Sequence, residues 1–228
     1  MLGIIAGTVL PTTKLLPQGK ERTIGTPHGR ARITVSEDAA YIQRHGKGDI
    51  PPHMINHKAN IWAMREYADT VIGVSSVGSL KRSIKPPTLL VPDDFLQFDT
   101  ITYFDNEIRH ITPSFDEKTR KEIIGVASWH KINVYAGGVY AQTRGPRFET
   151  KAEVGMLAHF ADVVGMTAAS EATLACELGI RYAAICSVDN LAHGLAKGRL
   201  DFKDVKDNAT RNSARVEELL RLLIGEHK

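Results

Sequence analysis

The stretch Gly145-Pro-Arg-Phe-Glu-Thr150 sets a flat aromatic ring, Phe148, beside a carboxylate, Glu149, just ahead of a helical pattern. A ring can cover a flat ligand, and an ionised carboxylate only accepts hydrogen bonds, so the pair suits a planar heterocycle carrying N–H groups on its edge. Elsewhere, small and polar residues follow apolar runs. Gly7-Thr8 follows "LGII", Arg44-His45 follows "AAYIQ", Ser75-Ser76 follows "TVIGV", and Thr167 follows "DVVGM". Hydroxyls, a planar guanidinium fork and an imidazole are the groups that hold an oxyanion. Taken singly, each set is an ordinary turn or surface feature; together, all at strand ends, they suggest one shared anion. No G-x-x-x-x-G-K-[ST] loop is present, which argues against a nucleoside triphosphatase of that type. His53 and His57 have the four-residue spacing of some zinc ligands. With no third ligand nearby, no metal is expected.

These residues need elements to hold them. "ARITV" and "AAYIQ" read as two strands about a turn, "TVIGVSSVG" as a buried strand, and "LLVPDDFLQF" as an extended segment broken at Pro92. The Gly137-Gly138 pair in "KINVYAGGVYAQT" marks a bulge or a tight bend. "INHKANIWAMREYA" reads as a helix with Ile55, Ala59, Trp62 and Ala63 on its inner face. "ETKAEVGMLAHF" and "SEATLACELG" read as further helices, the latter capped by Ser170 and stopped by Gly179. The strand "RYAAICSV" and an amphipathic helix from about 204 to 224 close the chain. Strands alternating with helices predict a single α/β domain over residues 1–228, a sandwich with a mixed, largely parallel central sheet flanked by helices. Ligands of such sheets bind at carboxyl ends of strands.

Composition narrows the function. With 228 residues, 43% of them hydrophobic, the chain can bury a substantial core. A net charge of +3 with scattered basic residues offers no nucleic-acid footprint. No apolar run reaches the roughly 20 residues of a membrane span. The first residues do not read as a signal peptide. Cys176 and Cys186 sit in apolar segments and read as small buried side chains, so a reducing cytoplasm is expected.

The motifs "YIQRHGKGDIPPHMINHKANIWAM", "VGSLK", "GPRFETKAE" and "DVVGMT", in this order, resemble the trimeric purine nucleoside phosphorylases. The branch that cleaves methylthioadenosine or methylthioinosine is the most similar. The resemblance spans nearly the whole chain. It implies cleavage of a purine N-glycosidic bond by inorganic phosphate, a co-substrate, with no cofactor and no metal. The products are the base and a ribose 1-phosphate or its 5-methylthio analogue. It also implies a homotrimer or a dimer of trimers.

Carried over motif by motif, the resemblance assigns Thr8, Arg44, His45, Ser75, Ser76 and Thr167 to phosphate, with Ser76 also near the ribose. Met166 would pack under the ribose and Phe148 over the base. Glu149 and Asn190 would meet the base edge, with His45 and Asn190 as the catalytic pair. Phe202 would face the 5′ substituent, its apolar ring favouring methylthio over hydroxyl. His110 would be supplied by the neighbouring subunit. Glu149 and Asn190 suit hypoxanthine or guanine, whereas the adenine-specific branch carries Ser and Asp at these positions. A polar mismatch in such a buried site can be worth on the order of 10⁴-fold. Asp189 stands where the family usually has Thr; a shift of one residue would present it to the base and select adenine. Other departures are Ala6 and Val9 for glycines of the first loop, His57 for a frequent Tyr, Ser170 for a Pro, and a short stretch from Asp99 to Thr119. The alternatives are a 5′-methylthioadenosine phosphorylase and a non-catalytic nucleoside-binding relative.

Overall fold

The computed structural model describes residues 1–7, 9–10, 15–16, 18–46, 50–196 and 202–227, apart from the side chains of 202–204 and 206. Among these residues one mixed sheet holds eleven strands. They are β1 (Leu2–Ala6), β2 (Lys20–Thr26), β3 (Gly29–Val35), β4 (Ala39–Gln43), β5 (Thr70–Ser79), β6 (Thr88–Val91), β7 (Asp94–Gln97), β8 (Val134–Ala136), β9 (Val139–Gln142), β10 (Val163–Gly165) and β11 (Arg181–Leu191). The helices are α1 (His57–Arg65), α2 (Glu117–Trp129), α3 (Lys151–Leu157), α4 (Ala168–Glu177) and α5 (Phe202–Glu226).

The central strands β4, β1, β5 and β11 run parallel to one another, and β10 runs antiparallel to β5. They read as near-continuous apolar runs because both faces are covered. On one face Ile42, Val71 and Val188 pack with Ile61 and Met64 of α1 and Ala168 to Ala175 of α4. On the other, Ile4, Ile72 and Ile185 pack with Ile123 of α2 and with Val216, Leu219, Leu220 and Leu223 of α5.

Several local expectations change. Residues 20–26 form an edge strand that the sequence did not announce; "KERTIGT" has no apolar alternation and is exposed or half-buried throughout. Ile55 lies before α1, and Trp62 is half-buried against His28 and Tyr103. Ile61 and Met64 take the inner positions instead. Helix α4 begins two residues ahead of Ser170, with Thr167 at the N-cap, so Ser170 lies inside the helix. Its hydroxyl accepts from Gln97 and Gln142. Helix α3 stops at Leu157, short of the expected span. Cys186 is buried, but Cys176 is only partly so.

Candidate functional site

Strand β1 ends with Ala6 opposite Val74, while β5 continues to Ser79 beside β11. Ser75 and Ser76 therefore lie inside β5, not at its end, yet just beyond the end of its neighbour β1. That step in the sheet opens a cleft of about 300 Å³. Its walls bring together Arg44, His45, Ser76, Phe148, Glu149, Met166, Thr167 and Asn190. Ser75 stands just behind, its hydroxyl 3.1 Å from that of Thr167. Of those two hydroxyl protons, one is used between the residues and one is left to serve a ligand.

Arg44 is deeply buried and held by four hydrogen bonds. Nε and Nη2 donate to the two oxygens of Glu171 at 2.6 and 2.9 Å; Nη1 donates to the Val74 carbonyl at 2.6 Å, and Nη2 also to that of Ile5 at 3.1 Å. Of five guanidinium protons, one on Nη1 has no partner among the described residues. Burial pushes the Glu171 carboxyl up, but Arg44 outweighs it and holds the group at about 2, against an ordinary 4.5. Tyr182 adds a donor to Glu171 at 2.7 Å, and His57 Nδ1 lies 3.5 Å from it. Gly73 makes room for this cluster, since a Cβ there would lie 1.7 Å from the Tyr182 hydroxyl. His45 donates from Nδ1 to the Ile50 carbonyl at 2.7 Å, which fixes the ring at the cleft wall. Gly7 packs against that ring; a Cβ there would stand 2.7 Å from Cδ2.

The other wall comes from the loop between β9 and α3. Thr150 caps α3 and Glu153 reaches back to the Thr150 amide, a reciprocal capping box that fixes the two residues before it. Arg147 grips Glu153 through both Nη atoms at 2.8 Å. Phe148 is 45% exposed and lines the cleft. Glu149 is buried; its Oε1 accepts from Thr143 at 2.6 Å, and Oε2 has no donor among the described residues. Met166 forms part of the floor, and Gly145, at φ +67°, leaves it space.

Asn190 lines the cleft and Asp189 does not. The ladder between β11 and β5 explains this. Val188 is paired with Val77 and Asn190 with Gly78, so Asp189 is an extra residue, a bulge that breaks simple alternation. Asp189 is fully buried and accepts from Ser76, Ser187 and, at 3.4 Å, Asn212 of α5. Burial raises its carboxyl above the ordinary range, opposed by those three bonds. Gly78 lets Asn190 approach closely; a Cβ there would sit 3.2 Å from its Nδ2.

Three expected residues are not among the described lining of the cleft. Thr8 and the Phe202 side chain lie outside the described residues. His110 is exposed on the segment between β7 and α2 and is not part of its own chain's cleft lining. Conversely, His193 and Val205 line the cleft, and Glu171 and Thr143 support it, without having been expected. Only Glu171 carried a signal: a carboxylate in the otherwise small and apolar run "SEATLAC" needs a buried cation. Among the described residues no three His, Cys, Asp or Glu side chains gather as for a metal ion, and no helix is long and apolar enough to cross a membrane.

Comparison with known proteins shows the family and the fold. Residues 2–225 match the sequence model of the Phosphorylase superfamily. A probable 6-oxopurine nucleoside phosphorylase of Archaeoglobus fulgidus is 45% identical over 93% of this chain and 91% of its own. A probable S-methyl-5′-thioinosine phosphorylase of Methanocaldococcus jannaschii is 34% identical over 100% of this chain and 95% of its own. Among solved structures, methylthioadenosine phosphorylase from Schistosoma mansoni in complex with adenine superposes with a TM-score of 0.92 at 25% identity. It covers 98% of this chain and 90% of that one.

Proposed function

The chain belongs to the phosphorylase superfamily, and we propose that it cleaves 6-oxopurine nucleosides with inorganic phosphate, releasing the free base and a ribose 1-phosphate or its 5-methylthio analogue. One observation carries this reading. A single cleft faces an anion cradle (Arg44, His45, Thr167) with a base wall (Phe148, Glu149, Asn190). Phosphate takes the remaining Arg44 proton and the spare hydroxyl proton of the Ser75–Thr167 pair, with the His45 ring beside it. The ribosyl group passes through an oxocarbenium-like state with Met166 below it. The phosphate dianion stabilises that cation and attacks the anomeric carbon. The C–N bond electrons leave with the purine, whose growing charge meets the Asn190 amide at N7 or O6. Positioning and electrostatics supply the rate; neither a cofactor nor a covalent enzyme intermediate is needed.

Glu149 selects the base. Its Oε2, without a donor among the described residues, accepts from the N1–H of hypoxanthine or guanine, and adenine has no proton there. The names of the Archaeoglobus and Methanocaldococcus relatives support this choice. The 45% exposure of Phe148 and the exposed Ile108 and His110 support completion of the site by a neighbouring copy, in a homotrimer or a dimer of trimers. The test is release of free base from inosine, 5′-methylthioinosine and 5′-methylthioadenosine, with and without phosphate. Phosphate-dependent cleavage of the two inosine-type substrates is expected. Preferred cleavage of the adenosine analogue would move the reading to a methylthioadenosine phosphorylase. Turnover without phosphate, or binding without turnover, would overturn it. Asn190→Asp together with Glu149→Ser is expected to shift kcat/KM toward adenosine-type substrates.

A further inference from the structure

Ser76 lines the cleft beside the anion cradle, but its proton is already committed. Its hydroxyl donates to Oδ2 of Asp189. Ser187, its cross-strand partner in the ladder, donates to Oδ1 of the same carboxylate. Asn212 of α5 adds a third donor at 3.4 Å, and the Asn208 amide holds the Asp189 carbonyl at 2.9 Å. Asp189 is fully buried, so this arrangement is fixed by packing. A serine hydroxyl has one proton and two acceptor lone pairs. With the proton spent behind the wall, Ser76 Oγ turns only lone pairs toward the cleft. Phosphate dianion offers only acceptors and would be repelled there; a sugar hydroxyl is a donor and fits.

We propose that Ser76, oriented by Asp189, reads a ribose hydroxyl of the nucleoside and is not part of the phosphate cradle. Ser76 touches the substrate, and Asp189 is a positioning residue acting through it. This rests on the assignment of the cleft to a purine nucleoside and deepens it into a preference for ribo- over deoxyribonucleosides. It also gives Asp189, the bulge residue absent from the base edge, a task in substrate choice.

The experiment is steady-state phosphorolysis of inosine, 2′-deoxyinosine and 3′-deoxyinosine at varied phosphate, by the unaltered protein and by Ser76→Ala. The unaltered protein is expected to lose at least about ten-fold in kcat/KM on the one analogue lacking the hydroxyl that Ser76 meets. Ser76→Ala should lose a comparable factor on inosine and discriminate little further against that analogue, while its KM for phosphate stays within about two-fold. A ten-fold or larger rise in KM for phosphate with discrimination intact would return Ser76 to the cradle. Equal activity of the unaltered protein on all three nucleosides would also overturn the inference. Asp189→Asn keeps the volume but frees the Ser76 rotor; it should weaken the ribo-over-deoxy ratio with KM for phosphate unmoved, whereas a purely structural role would leave the ratio intact. If Ser76→Ala fails to fold with Asp189 deprived of a donor, Ser76→Ala combined with Asp189→Asn is judged by the same criteria. No phosphorolysis of any purine nucleoside by the unaltered protein would sink the assignment of the cleft itself, a distinct failure.

Discussion

Glu149 and Glu171 illustrate two uses of a buried carboxylate. Glu149 keeps one oxygen on Thr143 and leaves the other to the cleft. Glu149→Gln replaces an acceptor with an amide that can present N–H to N1–H, and kcat/KM for inosine is expected to fall about 100-fold. Steady-state kinetics on inosine and adenosine checks this, since adenosine turnover should change far less. Glu171 is spent wholly inside the protein. Its folded pKa of about 2 lies below the ordinary 4.5. Its contribution is therefore present above about pH 4.5 and is lost as pH falls through about 2. Glu171→Gln leaves Arg44 without its counter-charge and should cost about 3–5 kcal/mol in urea unfolding at pH 7. The gap between variant and unaltered protein should narrow toward pH 2. At this scale the base wall was legible, because an aromatic and a carboxylate ahead of a Thr150-x-x-Glu153 cap announce a fixed loop. The partner of Arg44 was not, because 127 residues separate Arg44 from Glu171 and only the fold joins them.

Elements set the angles of these side chains. The capping box of α3 immediately follows Phe148 and Glu149, so its effect reaches the base wall. Thr150→Ala should cost about 1 kcal/mol in thermal or urea unfolding. It should also raise KM for the nucleoside more than it lowers kcat. In β5, Gly73 permits Tyr182 to reach Glu171. Gly73→Ala should destabilise by about 1–3 kcal/mol or more, and Tyr182→Phe in the same chain should recover part of that loss in a double-mutant cycle. The strands β1, β3, β4 and β5 and the glycine bend between β8 and β9 were legible from apolar runs and turn residues. β2 was not, since an edge strand of Lys, Glu, Arg and Thr has no buried face to print a period of two. The Asp189 bulge escaped for a different reason: it is a mismatch of length between β11 and β5, and neither strand records it alone.

At the scale of the whole molecule, the mixed sheet covered on both faces was visible in the alternation of elements, and the solved relatives share it. The single chain leaves several large apolar side chains exposed. Phe148 of the cleft lining is 45% exposed, and Phe98 and Ile108, on the segment after β7, are 72% and 87% exposed. If a neighbouring copy closes the site, specific activity should fall on dilution, in step with loss of the assembled species by mass photometry or light scattering. His110→Ala should then lower nucleoside affinity without altering the unfolding midpoint. A constant specific activity across a species that is monomeric throughout would show each chain to be sufficient.

The extra residue of β11 also has a genealogical side. The ladder on either side of it is already complete, with Val188 opposite Val77 and Asn190 opposite Gly78. One inserted or deleted codon could therefore add or remove Asp189 while each neighbouring pair kept its register. A lineage could in this way revise which sugars it accepts in one mutational step, leaving the rest of the sheet as inherited.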